Sequence, residues 1–179
     1  KKKDVIEIGP GKGSLTDEIL KKKPNSITLI EKDDRLSDSL KIKYQNYSNI
    51  KILNFDILKF NLEKIVKRNS IIIGNLPYNI SSQVLVKILK FKKWPPDFSD
   101  IIFMFQKELA DKISGKFLSS SYGRLSIFTS YRLNIRNKFL ISPNCFVPKP
   151  KVTSQIIHFI PKNEKQFIKD LNNLEKVTN

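Results

Sequence analysis

Cysteine is almost missing from this chain of 179 residues: Cys145 stands alone. That excludes an internal disulfide and a cysteine-rich metal site, and it makes a reducing, cytoplasmic setting the expected one. Histidine is equally scarce, with His158 the single example, so no metal is expected. No apolar run approaches the roughly 20 residues that a membrane-spanning helix requires. Lys1-Lys2-Lys3 leads at once into Val5-Ile6-Glu7-Ile8, the pattern of a strand rather than of a secretory signal. Acidic residues are also in short supply, 17 against 33 basic ones, giving a net charge of +16. An excess of that sign points to a polyanionic partner. Only five of the basic residues are arginine, and Asn and Ile are abundant. Such a bias is what an AT-rich coding sequence produces, so it accounts for part of the size of the charge though not its sign.

What is present is an alternation of short β-branched runs and amphipathic stretches, the mark of an α/β domain with a mostly parallel sheet. Seven strands are expected, at Val5–Ile8, Ile27–Glu31, Ile50–Asn54, Ser70–Asn75, Ile101–Phe105, Leu133–Phe139 and Gln155–Ile160. Helices are expected at Leu15–Lys21, Arg35–Tyr44, Leu62–Lys67, Ser82–Leu89, Lys107–Ile113 and Leu125–Tyr131. Several strands are apolar throughout, as when helices cover both faces of the sheet. Pro95-Pro96 marks one loop, and Pro143, Pro148 and Pro150 another. Beyond Pro161 a polar helical pattern runs from Glu164 to about Val177.

The segment Glu7-Ile8-Gly9-Pro10-Gly11-Lys12-Gly13-Ser14 follows the first strand and opens a helix. Glycines let the backbone turn tightly and approach a ligand, and the helix start beyond them offers unpaired N–H groups. The G-x-G-x-G spacing differs from the G-x-G-x-x-G that admits a pyrophosphate. It favours a nucleoside without a diphosphate, with S-adenosylmethionine ahead of NAD. Glu31 ends the second strand about 20 residues on, where a carboxylate can accept two ribose hydroxyls. Asp56 follows the third strand and could accept an adenine amino group. By itself Asp56 would read as a turn residue or helix cap. The order of glycine loop, Glu31 and Asp56 after successive strands carries the inference.

Ile73-Gly74-Asn75-Leu76-Pro77-Tyr78 lies at the carboxyl end of the fourth strand, the edge where ligands gather in open α/β sheets. The exocyclic amine of adenine is a weak nucleophile because its lone pair is delocalised into the ring. Two acceptors, one for each N–H, draw the nitrogen towards tetrahedral geometry. Asn75 Oδ1 and the Leu76 carbonyl can serve, Pro77 stiffens the turn, and Tyr78 offers a face for stacking the base and for the incoming positive charge. The bland alternative is an ordinary strand-exit turn.

Five ordered motifs, EIGPGKGSLT, IGNLPYNISS, MFQKELA, YGRLSI and FVPKPKVTS, closely resemble the small-subunit ribosomal RNA adenine dimethyltransferases, over about Asp4 to Pro161. The resemblance implies a Rossmann-like fold for a methyltransferase dependent on S-adenosylmethionine. It also implies dimethylation of two adjacent adenosines near the 3′ end of the small-subunit RNA, in an assembling subunit. It places Gly9, Gly11, Glu31, Asp56 and Asn75 at the cofactor, and Asn75, Leu76 and Tyr78 at the target adenine. Phe146 is implied to sandwich the adenine from the other side; without the resemblance it would read as a core residue. Arg124 is a candidate phosphate contact or a solvated helix start, and Lys90, Lys92 and Lys93 read as a solvated loop.

The family has a Gln-Asn-Phe segment before the first strand, and this chain begins after it. Residues 1–161 are accordingly expected to form the catalytic domain, and 162–179 the start of a helical C-terminal domain. A monomer without membrane attachment is expected. Three alternatives stay open: a large-subunit RNA dimethyltransferase of the macrolide-resistance type, an adenine methyltransferase acting on DNA, and a ribosome-assembly factor that binds without catalysis.

Overall fold

A computed structural model describes residues 2–146 and 152–163. Seven strands form one sheet in the order β3-β2-β1-β4-β5-β7-β6. By contacts the chain divides into two compact units, residues 1–77 with 97–102, and residues 78–96 with 103–179.

The first unit carries β1 (Asp4–Ile8), α1 (Ser14–Lys21), β2 (Ser26–Glu31), α2 (Asp34–Lys43), β3 (Ile50–Asn54) and β4 (Ser70–Gly74). β1 pairs in parallel with β2 on one side and β4 on the other, and β2 pairs in parallel with β3. Apolar residues dictate this arrangement. Val5, Ile27, Leu29, Leu40 and Tyr44 form a buried cluster, with Ile19, Leu20, Ile50, Ile52 and Ile73 packed against it. α2 starts where the Asp33 carboxylate accepts the Leu36 N–H at 2.9 Å, satisfying one of the unpaired donors of a helix start.

One expected helix is corrected here. Leu62–Lys67 holds only a 3-10 turn, Leu62–Lys64. The Ser70 hydroxyl accepts the Lys67 N–H and donates to the Lys67 carbonyl, and Asn69 adopts a left-handed φ of 64°. The chain therefore turns into β4 before a second helical turn can form.

The second unit carries α3 (Tyr78–Leu89), α4 (Lys107–Ile113), α5 (Arg124–Arg132), β6 (Leu133–Ile141) and β7 (Ser154–Pro161). β5 (Phe98–Gln106) begins in the first unit and ends in the second. β6 and β7 are antiparallel, so the sheet is mixed, parallel around β1 with this pair at the far edge. α3 starts at Tyr78, four residues before the expected Ser82, so Pro77 precedes a helix rather than a longer loop. Arg132 is buried and its Nη1 donates to the carbonyls of Leu89 and Phe91, taking up acceptors that the end of α3 leaves open. No helix among the described residues is long and apolar enough to cross a membrane. The expected helix Glu164–Val177 lies outside the described residues, as does most of the expected C-terminal domain.

Candidate functional site

β1 and β4 are neighbours in register, with Ile8 opposite Gly74. The glycine loop and the Asn75-Leu76 segment therefore leave the sheet side by side. Chain order reverses at that point, β1 leading to β2 on one side while β4 lies on the other, and open α/β sheets bind ligands at such a switch. Leu76 is buried, and its side chain lies against both loops. A Cβ on Gly9 would meet Leu76 Cδ2 at 3.7 Å, and one on Gly74 would come within 2.9 Å of the Ile8 carbonyl oxygen. Gly74 is thus required by close approach of β1 and β4.

Gly9, Gly11 and Gly13 all have positive φ, at 68°, 57° and 81°. Gly11 N–H donates to Glu31 Oε2 at 3.0 Å, while Glu31 Oε1 accepts the N–H groups of Lys32 and Asp33 at 2.8 and 3.0 Å. Two of the expected cofactor residues, Gly11 and Glu31, are brought into direct contact. The Glu31 carboxylate is buried and held by three backbone donors, and by lone-pair capacity its open acceptor position is on Oε2.

Asp56 is half-buried just past β3. Its Oδ1 accepts the Leu58 N–H at 2.9 Å, and Lys32 Nζ lies 3.0 Å from its Oδ2. Lys32 and the Leu58 N–H hold this carboxyl below the usual aspartate range. The pairing ties Asp56, just past β3, to the residue after Glu31, the last residue of β2, so both carboxylates sit at the carboxyl ends of adjacent strands. The Asn75 side chain is exposed and makes no hydrogen bond among the described residues, which leaves its amide oxygen available. In the second unit, Tyr78 is half-buried at the start of α3, and Phe146 is half-buried after the 3-10 turn Pro143–Cys145. Arg124 is exposed at the start of α5, and Lys90, Lys92 and Lys93 are exposed after α3.

Two features escape a reading by motif. Glu7 is fully buried and accepts the Thr16 hydroxyl at 2.7 Å; burial pushes its carboxyl above the usual range against that hydrogen bond, with the Asp17 charge adding to the rise. Tyr44, at the end of α2, places its phenol 2.9 Å from the Gly13 carbonyl oxygen and 2.7 Å from Asp17 Oδ1, sharing one hydrogen between two acceptors. Lys43 Nζ donates to the Lys12 carbonyl and to Asp17 Oδ2 at 3.1 and 2.7 Å. The end of α2 thereby braces the glycine loop. Only the fold could reveal this, since 31 residues separate Tyr44 from Gly13.

A family model described as ribosomal RNA adenine dimethylase matches residues 1–179. The chain belongs to this family. Among similar dimethylases, ribosomal RNA small subunit methyltransferase A of Pelagibacter ubique is 46% identical, over 98% of this chain and 66% of that protein. Its counterpart in Xanthobacter autotrophicus is 38% identical, over 97% of this chain and 61% of that protein. The chain therefore spans under two thirds of the length of these curated dimethylases. Among solved structures, a dimethyladenosine transferase from Plasmodium falciparum matches with a TM-score of 0.75 at 30% identity, over 89% of this chain and 56% of that one. A 23S rRNA methyltransferase, ErmE, matches at 0.76 and 27%, over 99% and 69%. The fold expected for a methyltransferase dependent on S-adenosylmethionine is therefore present.

Proposed function

We propose that this protein transfers methyl groups from S-adenosylmethionine to the exocyclic amine of two adjacent adenosines near the 3′ end of small-subunit ribosomal RNA. The product is dimethyladenosine, formed on an assembling subunit in the cytoplasm. The observation that carries the reading is the register of β1 and β4, which sets the glycine loop beside Asn75-Leu76. The names of the two bacterial relatives support the small-subunit RNA over the large; the TM-scores to the dimethyladenosine transferase and to the 23S rRNA methyltransferase, 0.75 and 0.76, favour neither.

The residues fit the cofactor. Of the three positive-φ glycines, Gly11 faces open space, with nothing within 4 Å of where a Cβ would stand, so a nucleoside can approach the backbone there. Glu31 keeps an acceptor for ribose on Oε2, and a second ribose hydroxyl is accommodated when the Gly11 N–H lets go. Asp56 can take an adenine amino group once the exposed Lys32 side chain swings aside. When bound, S-adenosylmethionine supplies an electrophilic methyl group on a sulfonium centre.

At the target, Asn75 Oδ1 and the Leu76 carbonyl accept the two N–H groups of the adenine amine and localise its lone pair. Tyr78 stacks on the base, a contribution of roughly 1–3 kcal/mol, and its face stabilises the positive charge that develops on the nitrogen. An amide suits position 75 because the nitrogen becomes acidic only once alkylated, when water can take its proton. Asn75→Ala should lower turnover by about a hundredfold or more while changing cofactor affinity far less. Label transfer from the cofactor to undermethylated small subunits, large subunits and DNA tests the assignment with the full-length protein. Preference for either of the last two would overturn it.

A further inference from the structure

We propose that Ser154 is a positioning residue for the base-stacking ring of Tyr78. The inference rests on the reading of Tyr78 as the stacking surface for the target adenine. Tyr78 Oη and Ser154 Oγ lie 2.6 Å apart, 76 residues apart in sequence. Among the described residues this is the only hydrogen bond the phenol makes.

Ser154 is well placed to anchor. It is fully buried, it opens β7, and it pairs with Ile141 in the β6–β7 ladder. The preceding Thr153 carbonyl accepts the Lys107 N–H at 2.9 Å, where α4 begins. The serine hydroxyl therefore sits on a hydrogen-bonded frame rather than on a free loop. Tyr78, by contrast, is only partly buried at the first position of α3, so packing does not enclose its ring completely. Fixing Oη fixes the long axis of the ring. Because a phenolic O–H prefers the ring plane, the bond also sets the tilt of the stacking face. Either hydroxyl can be the donor, so the contact survives whichever way the proton points. A ring held before the base arrives loses less freedom on stacking.

Single and double substitutions in the full-length protein test this. Ser154→Ala should reduce kcat by about five- to tenfold, as expected for loss of one neutral hydrogen bond, with cofactor affinity unchanged. Tyr78→Phe removes the same bond from the other side and should match it. In the Tyr78→Phe background, Ser154→Ala should add nothing. A serine that served only packing or stability would instead give additive losses. Unchanged kcat in Ser154→Ala, or additive losses, overturns the proposal.

A readout independent of transfer keeps the two claims apart. An undermethylated small-subunit RNA carrying 2-aminopurine at the target reports stacking by fluorescence quenching. Weaker quenching, equal in Ser154→Ala, Tyr78→Phe and the double variant, supports the anchor. Full quenching in Ser154→Ala sinks it even if transfer to the adenosine-containing RNA is intact, whereas absence of transfer from the wild type to that unmodified RNA, with an equal loss of quenching in all three variants, overturns the functional reading alone.

Discussion

At the scale of single residues, Glu31 and Glu7 show how position in the fold splits the roles of two buried carboxylates. Glu31 receives three backbone N–H groups, which fix where its carboxylate points. Replacing it with alanine strands ribose hydroxyls without a charged acceptor, and a hydrogen bond to a charged group is worth roughly 1.5–3 kcal/mol. Calorimetry should show about a tenfold or greater loss of cofactor affinity; unchanged affinity would move the cofactor elsewhere. Glu7 has a single donor among the described residues, Thr16, and burial raises its carboxyl. A carboxyl raised on folding binds its proton more tightly in the folded state. It stabilises the fold below the ordinary glutamate value, and that contribution is lost as pH rises from there through the raised folded value. Glu7→Gln keeps an acceptor for Thr16 and removes the titration. Its melting temperature relative to wild type should therefore rise between about pH 4 and about pH 7. A difference that stays the same at both would contradict the assigned cause.

At the scale of elements, the sequence was most readable where one physical rule acted alone. Apolar β-branched runs located all seven strands, and β3 was placed end to end at Ile50–Asn54 because turns bound it on both sides. The glycine loop was legible because each positive φ demanded glycine. The reading failed at Leu62–Lys67, where the Ser70 hydroxyl bridges the Lys67 backbone and ends the turn early. It missed Tyr44 and Ser154, since contacts over 31 and 76 residues leave no trace in local spacing. The brace formed by α2 gives a sharp expectation. At Gly13 a Cβ would collide with the Tyr44 hydroxyl and press on Leu40 Cδ2. Gly13→Ala should cost about 1–2 kcal/mol for the left-handed backbone alone, and more for displacing buried Tyr44. Denaturant unfolding with the full-length protein checks this, and a variant as stable as wild type would remove the brace from the account.

At the scale of the whole molecule, the proposed chemistry constrains the product. Two acceptors hold both N–H groups of adenine, yet after one transfer a single N–H remains. The second transfer needs the monomethylated amine to rotate while stacking on Tyr78 and Phe146 retains the base. Phe146, implied by the family resemblance, would supply one of those faces; Phe146→Ala should slow the second transfer at least as much as the first, because the remaining stacking must then hold the base with fewer hydrogen bonds. The most direct test is a time course of nucleoside composition in undermethylated small-subunit RNA treated with the full-length protein and S-adenosylmethionine. Monomethyladenosine should rise and fall while dimethyladenosine accumulates at two adjacent positions. A stable monomethyl end point, or no methylated adenosine at all, would contradict the account.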